Sequence, residues 1–216
     1  MSEITIRRTY EEQNDMLWNL IGEEEEPEQG RRLKVILQFS KDFARLDAFI
    51  EKYRERHSLR TVVELGVHKG GSFWMLSRHV EEGGLMVGVD NGKLGKNKGK
   101  VRQIAESIFE LIRLDGIRVI PHWMTTNKAV LPTKKQVSKD GVDLLHIDAG
   151  HTYESCRSDW DSYVPMVNKG GLILLHDTHN GGTKGVVQVW HERCGKYKER
   201  YEFQVDGVGT SVAVVG

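Results

Sequence analysis

Cysteine is scarce in this 216-residue chain, and its two copies, Cys156 and Cys194, match neither a zinc-ligand spacing nor a disulfide framework. Both read as ordinary thiols, which suits a reducing cytoplasm, the expected location. An excess of either charge is also missing, because Lys+Arg and Asp+Glu number 31 each. No overall field therefore draws the chain to DNA, RNA or an anionic membrane surface. The N-terminus runs into charged sequence without the apolar segment of a signal peptide, and no apolar run is long enough to span a bilayer. Nucleic-acid and membrane partners are not expected. Internal repeats and low-complexity tracts are absent too.

The length fits one domain with a substantial core. Residues 1–32 form an acidic N-terminal extension, with glutamates at 23–26 ahead of Pro27, a pattern typical of solvated linkers. Tyr10, Leu17, Leu20 and Ile21 could form a short helix within it that covers the active site or a partner subunit. From Leu33, the residues Ile36, Leu37, Phe43, Leu46, Phe49, Ile50 and Tyr53 recur at helical spacing and predict a long flanking helix. Beyond it, short β-branched runs at 61–65, 85–89, 118–120, 142–147 and 171–175 alternate with helical patterns at 72–79, 101–114, 152–167 and 184–193. This alternation predicts an α/β fold with a mostly parallel, doubly wound sheet covered on both faces. Near the C-terminus, two β-rich runs flank the turn-rich segment 206–209 and read as an antiparallel hairpin.

The first strand leads into Glu64-Leu65-Gly66-Val67-His68-Lys69-Gly70-Gly71-Ser72, a glycine-rich turn before a helix. Ligands of open α/β sheets bind at the carboxyl ends of the strands, where glycine lets them approach the backbone. Three residues separate Gly66 from Gly70, so the turn is not the G-x-G-x-x-G of a dinucleotide site and a nicotinamide dehydrogenase is disfavoured. The acid just before the turn also suits a cationic ligand better than a pyrophosphate. The second strand ends in Asp90, followed by Asn91. A carboxylate there can accept both ribose hydroxyls of an adenosine.

The pattern E-x-G-x-x-x-G-x-S at 64–72, with Asp90 after it, resembles the donor-binding motifs of class I S-adenosylmethionine-dependent methyltransferases. The resemblance runs from roughly Leu33 to the C-terminus, so 33–216 is expected to be the methyltransferase domain with that family's Rossmann-like fold. It is closest to the branch containing metal-dependent sugar and macrolide O-methyltransferases and cephalosporin hydroxylase-like proteins. The resemblance implies that the turn glycines Gly66, Gly70 and Gly71 face the methionine part of S-adenosylmethionine and that Asp90 holds the ribose, with Glu64, Val67, His68, Ser72 and Asn91 also expected at the donor. Residues after the third strand, His122, Trp123 and Met124, would cover the adenine.

Asp148 follows the fourth strand and Asp177 the fifth. Neighbouring strands lie about 4.8 Å apart, so the two carboxylates can converge if those strands are adjacent. Converging carboxylates repel unless a proton or a cation neutralises them. Two aspartates favour Mg²⁺, Mn²⁺ or Ca²⁺, whereas recruitment of His176 or His179 would shift the choice toward a transition metal. The resemblance implies metal ligands at Asp148 and at the pair His176 and Asp177, with His176 standing where some members carry a carboxylate. Asp148 is also expected beside the donor and in catalysis. His151, three residues past Asp148, is placed to take a proton from an acceptor hydroxyl, and the resembled sugar O-methyltransferases use a histidine at the matching position.

The resulting expectation is an enzyme that O-methylates a small-molecule hydroxyl, sugar or natural-product-like. Lys93, Lys96, Lys98 and Lys100, interleaved with Gly95 and Gly99, read as a solvated loop or as a basic cover that attracts an anionic or sugar-linked acceptor. Two alternatives stand beside this one: a hydroxylase-like relative on the same fold, and a degenerate methyltransferase fold serving as a binding module. Self-association through the N-terminal segment is a further expectation. Trp160 and Trp190 fall in helical patterns and read as packing residues.

Overall fold

A computed structural model describes residues 40–93, 98–179, 181–204 and 208–216. The acidic extension at 1–32, the expected start of the flanking helix at 33–39, residues 94–97 of the lysine loop, residue 180 and the tip of the C-terminal turn lie outside the described residues; Lys98 and Lys100, expected in that loop, stand instead at the start of a helix, Lys98–Leu114.

Five strands, β1 (Thr61–Leu65), β2 (Leu85–Val89), β3 (Arg118–His122), β4 (Val142–Ile147) and β5 (Val167–His176), pair in parallel. β7 (Thr210–Val214) runs antiparallel to β5, and β6 (Arg200–Phe203) runs antiparallel to β7. The spatial order is β3-β2-β1-β4-β5-β7-β6, the mostly parallel sheet with a closing antiparallel pair that the sequence pattern predicts. β1 and β4 are neighbours although far apart in sequence, so the winding reverses at β1 and opens a crevice at the carboxyl ends of these strands.

Period-two alternation divides the strand residues between two cores. On one face Val62, Met86, Leu144, Leu172 and Val212 pack under α1 (Ser40–Arg54), α2 (Gly71–Ser77) and α3 (Lys98–Leu114). On the other, Val63, Val87, Leu145, Ile173 and Ala213 pack under α4 (Thr126–Val137), α5 (Tyr153–Tyr163) and α6 (Lys184–Cys194). Trp160 and Trp190 are fully buried there, with ring centroids 6.4 Å apart at a near-perpendicular angle. This edge-to-face arrangement is favourable for aromatic pairs.

The structure departs from the sequence expectation in several places. β3 continues to His122 and β5 begins at Val167, because the flanking residues find ladder partners on strands already in place. The helix at 152–167 ends at Tyr163 in a 3-10 turn, Val164–Met166, since Pro165 cannot donate to the helical ladder. Helix α4 was not anticipated: Pro132 lies inside it and its buried face is thin, consisting of Ala129, Thr133 and Val137 at four-residue spacing.

Candidate active site

The site is built where β1, β2, β4 and β5 end. Asp148 N–H donates to Leu65 O and Gly66 N–H donates to Val89 O, both at 2.8 Å, drawing three strand ends together. This closeness requires glycine at 66: its φ is +93°, and a Cβ there would stand 2.0 Å from the Asp148 carbonyl oxygen.

Asp90 is buried and already half engaged. Its Oδ2 accepts from His68 N–H at 2.8 Å and its Oδ1 accepts from Gly92 N–H at 2.6 Å. The His68 contact is made from a left-handed backbone (φ 51°). Asp177 shares this conformation (φ 62°), and no other described non-glycine residue has a positive φ. Such backbones are held only where the surroundings over-determine them, commonly at functional sites.

Behind the turn, Glu64 is fully buried and accepts from Ser72 Oγ at 2.5 Å. Its register partner on β4 is His146, whose Nδ1 lies 3.5 Å from Glu64 Oε1. Burial pushes the Glu64 carboxyl upward against the opposing influence of His146 and Ser72.

At the ends of β4 and β5 four side chains meet. His151 Nε2 lies 3.0 Å from Asp177 Oδ2 and 3.6 Å from Asp148 Oδ1. His176 Nδ1 lies 3.1 Å from Asp148 Oδ1 and 3.5 Å from Asp177 Oδ1. Burial opposes ionisation of Asp148, but the charge of His176 and the hydrogen bonds from His151 and His176 outweigh it and hold the carboxyl well below its usual range. The hydrogen bond to Asp148, helped by the charges of Asp177 and Asp148, raises the pKa of His151 against partial burial and His176. His151 remains half-exposed, so its ring is reachable from outside. One ligand atom each from Asp148, His151 and Asp177 falls within 4.8 Å of the others, a spacing that could hold a metal ion.

A cavity of about 500 Å³ opens beside this cluster, along the ends of β1, β2 and β4. Of the residues expected around the donor, Gly66, Asp90, Asn91 and Met124 line it. Glu64, Val67, His68, Gly70, Gly71, Ser72 and Asp148 are not part of its wall but shape the turn beside it or, as Asp148 does, belong to the neighbouring cluster. Trp123 points elsewhere: its indole N–H donates to Glu106 Oε1 at 2.7 Å, Arg102 stacks over its ring, and it packs on Phe109. The remaining wall comes from residues that sequence reasoning did not single out, among them Thr125, Thr126 and Asn127 at the start of α4, and Ser155, Ser158 and Asp159 on α5. A threonine pair before a helical stretch is an N-cap signal that could have flagged the first group. Thr152 is such a cap for α5, accepting from Ser155 N–H at 3.2 Å.

Residues 63–178 match the protein family described as "Methyltransferase domain". The chain is 27% identical over 142 residues to an uncharacterized protein of Sinorhizobium fredii, covering 63% of this chain and 15% of that protein. It is 26% identical over 153 residues to an uncharacterized protein of Acanthamoeba polyphaga mimivirus, covering 68% and 66%. It thus spans less than two thirds of the length of either relative. Among solved structures, an O-methyltransferase from Bacillus cereus in complex with SAH superposes with a TM-score of 0.62 at 16% identity, covering 83% of this chain and 82% of that one. CalS11, a TDP-rhamnose 3'-O-methyltransferase of calicheamicin biosynthesis, superposes with a TM-score of 0.60 at 12% identity, covering 98% and 97%. With the family match spanning more than half of its residues, the chain belongs to the methyltransferase-domain family and carries the class I fold of S-adenosylmethionine-dependent methyltransferases.

Proposed function

We propose that this protein transfers a methyl group from S-adenosylmethionine to a hydroxyl of a small molecule, sugar or natural-product-like, with His151 as the base. Asp148, His176 and Asp177 would hold a divalent cation, Mg²⁺ or a relative. The observation that carries this reading is the convergence of Asp148, His151, His176 and Asp177 at the ends of β4 and β5, next to a cavity edged by Asp90. CalS11, named for methylating a rhamnose hydroxyl, supports a sugar-bearing acceptor.

The donor set fits a metal. Two adjacent carboxylates with imidazole nitrogen beside them satisfy a divalent cation, and the histidine widens the choice from Mg²⁺ toward Mn²⁺ or another transition metal. When bound, the donor supplies a sulfonium-activated methyl group, and the cation would lower the pKa of an acceptor hydroxyl. The protein's own part is to position the acceptor and remove its proton. The His151 ring is half-exposed, and Asp177, 3.0 Å from its Nε2, would stabilise the imidazolium that forms when it takes that proton. Asp90 keeps unused acceptor capacity for two ribose hydroxyls. Residues 33–216 would form the catalytic domain and 1–32 an acidic extension.

A second reading makes His151 a ligand instead of the base, because its Nε2 lies within 4.8 Å of an oxygen of each aspartate. Calorimetric titration with S-adenosylhomocysteine, with and without Mg²⁺ or Mn²⁺ and followed by a methyl-transfer assay on nucleotide-linked sugars, tests both. Saturable binding, turnover, and a His151→Ala variant that loses kcat while keeping the metal's effect on binding are expected. If His151→Ala also loses the metal effect, the second reading holds. No binding by folded protein would sink the proposal.

A further inference from the structure

The mechanism leaves one buried acid unused. Asp159 sits on the inner face of α5, is 3% exposed, and helps form the wall of the donor cavity. Its Oδ2 is shut off from solvent and has no hydrogen-bond partner among the described residues. A shielded carboxylate oxygen without a donor is costly, and native structures rarely keep one without a reason. Burial pushes the carboxyl up to about 6, with a hydrogen bond to Thr126 opposing it.

The cavity that Asp159 helps to line offers both apolar and polar wall. Val89, Met124 and Ala149 supply apolar surface, while Thr126, Ser158 and Asp159 supply polar groups. Asp90 marks the ribose end at the tip of β2, so a purine attached there extends across Met124 toward α4 and α5. The hydroxyls of Thr126 and Ser158 can donate or accept, and therefore do not choose between a 6-amino group and its absence. An ionised carboxylate only accepts. It rewards a ligand N–H and gains nothing from a ring carbon that bears hydrogen.

We propose that Asp159 is the specificity determinant for the purine of the donor, accepting a hydrogen bond from the 6-amino group of adenine. This rests on the donor reading above and assigns one further residue to it. An acid on the helix after β4, instead of the segment after β3, then reads the base. The chain's own sequence offers a reason. Trp123, expected to cover the adenine, is engaged with Glu106 and Arg102 on the opposite face of the sheet.

The test compares S-adenosylhomocysteine with its 6-deamino purine analogue, which carries hydrogen in place of the amino group, by calorimetry at pH 8 on the full chain. The wild-type protein is expected to prefer the amino compound roughly 10- to 100-fold, the worth of a hydrogen bond to a charged group. Asp159→Asn, which keeps an acceptor oxygen without the charge, should retain part of this preference, and Asp159→Ala should lose it. Wild-type protein that binds the two compounds equally would overturn the inference while leaving the donor reading intact. This comparison needs no variant, so it decides the matter even if the substitutions prevent folding. A folded Asp159→Ala protein with the full preference would also overturn it, and would assign Asp159 to the α4–α5 contact alone. If neither compound binds the folded wild-type protein, the donor reading falls together with the inference.

Discussion

Replacing Asp90 by alanine gives a sharp test of the donor site, because the structure says how its hydrogen-bonding capacity is divided. An ionised carboxylate offers about four acceptor positions. Two are taken, by His68 N–H on Oδ2 at 2.8 Å and Gly92 N–H on Oδ1 at 2.6 Å. Two are left, one for each hydroxyl of a ribose. Hydrogen bonds to a charged group contribute about 1.5–3 kcal/mol each. Even if the two are strongly non-additive, Asp90→Ala should weaken binding of S-adenosylhomocysteine by about 3 kcal/mol, roughly a hundredfold in Kd. The same change strands two backbone donors beside a buried side chain, so stability should fall by about 1–3 kcal/mol, a drop of roughly 2–12 °C in Tm for a chain of this size. The two effects separate by measuring Kd calorimetrically well below the variant's Tm, with far-ultraviolet circular dichroism as the check on folding. Asp90→Asn keeps one acceptor oxygen and should fall between. A folded Asp90→Ala protein that binds S-adenosylhomocysteine within about threefold of wild type would refute the ribose assignment and leave Asp90 as a turn residue.

Three further outcomes are expected. Gly66→Ala puts a Cβ 2.0 Å from the Asp148 carbonyl on a backbone at φ +93°, so urea unfolding should show a loss of about 2 kcal/mol or more, and an unchanged midpoint would contradict the close approach of β1 and β4. Trp160→Ala empties a fully buried site against Trp190 and should cost about 3–5 kcal/mol in the same assay, a loss below about 1 kcal/mol being incompatible with that packing. For Asp159 the pKa rises from 3.8 in the unfolded chain to about 6 in the fold; the folded state holds the proton more tightly, so this contribution to stability is complete below pH 3.8 and is lost as pH rises through about 6. The lost contribution is about 3 kcal/mol, and Asp159→Asn, which cannot ionise, should gain stability relative to wild type between pH 4 and pH 8, whereas a pH-independent difference would show that the carboxyl is not held this way.

The sheet was legible because its signals are local and repeated. Strands β1, β2 and β4 coincide with the runs of β-branched residues that predict them, since a strand buried on both faces needs apolar side chains at nearly every position. The glycine-rich turn was legible for a different reason: at Gly66 the backbone needs both a positive φ and the absence of a Cβ, and only glycine satisfies the two together. Asp148 and Asp177 could be paired before any coordinates because both directly follow predicted parallel strands. Their adjacency followed once β4 and β5 were neighbours. What the sequence did not give away is that His151 reaches both carboxylates, since a histidine four residues past a strand can turn toward solvent as easily as inward.

The end of the cavity between α4 and α5 was hidden by a helix that breaks two habits of sequence reading. In α4 the interior Pro132 reads as a breaker, yet proline removes a single ladder donor, and the buried stripe of Ala129, Thr133 and Val137 holds the helix against the sheet regardless. That stripe contains a threonine and an alanine, so its apolar signal is weak over the window in which periodicity is judged. With α4 unrecognised, Thr125, Thr126 and Asn127 had no place in the site, and nothing marked Asp159 on α5 as facing them. The resemblance placed the adenine against His122, Trp123 and Met124 instead, and of these Met124 lines the cavity. The indole nitrogen of Trp123 found Glu106 on α3, while Met124, in the turn past β3 where its N–H donates to His122 O at 2.8 Å, lies at the cavity. The wall of this pocket is therefore set by a turn past β3 and by a weakly amphipathic helix, and neither carries a strong periodic signal in the sequence.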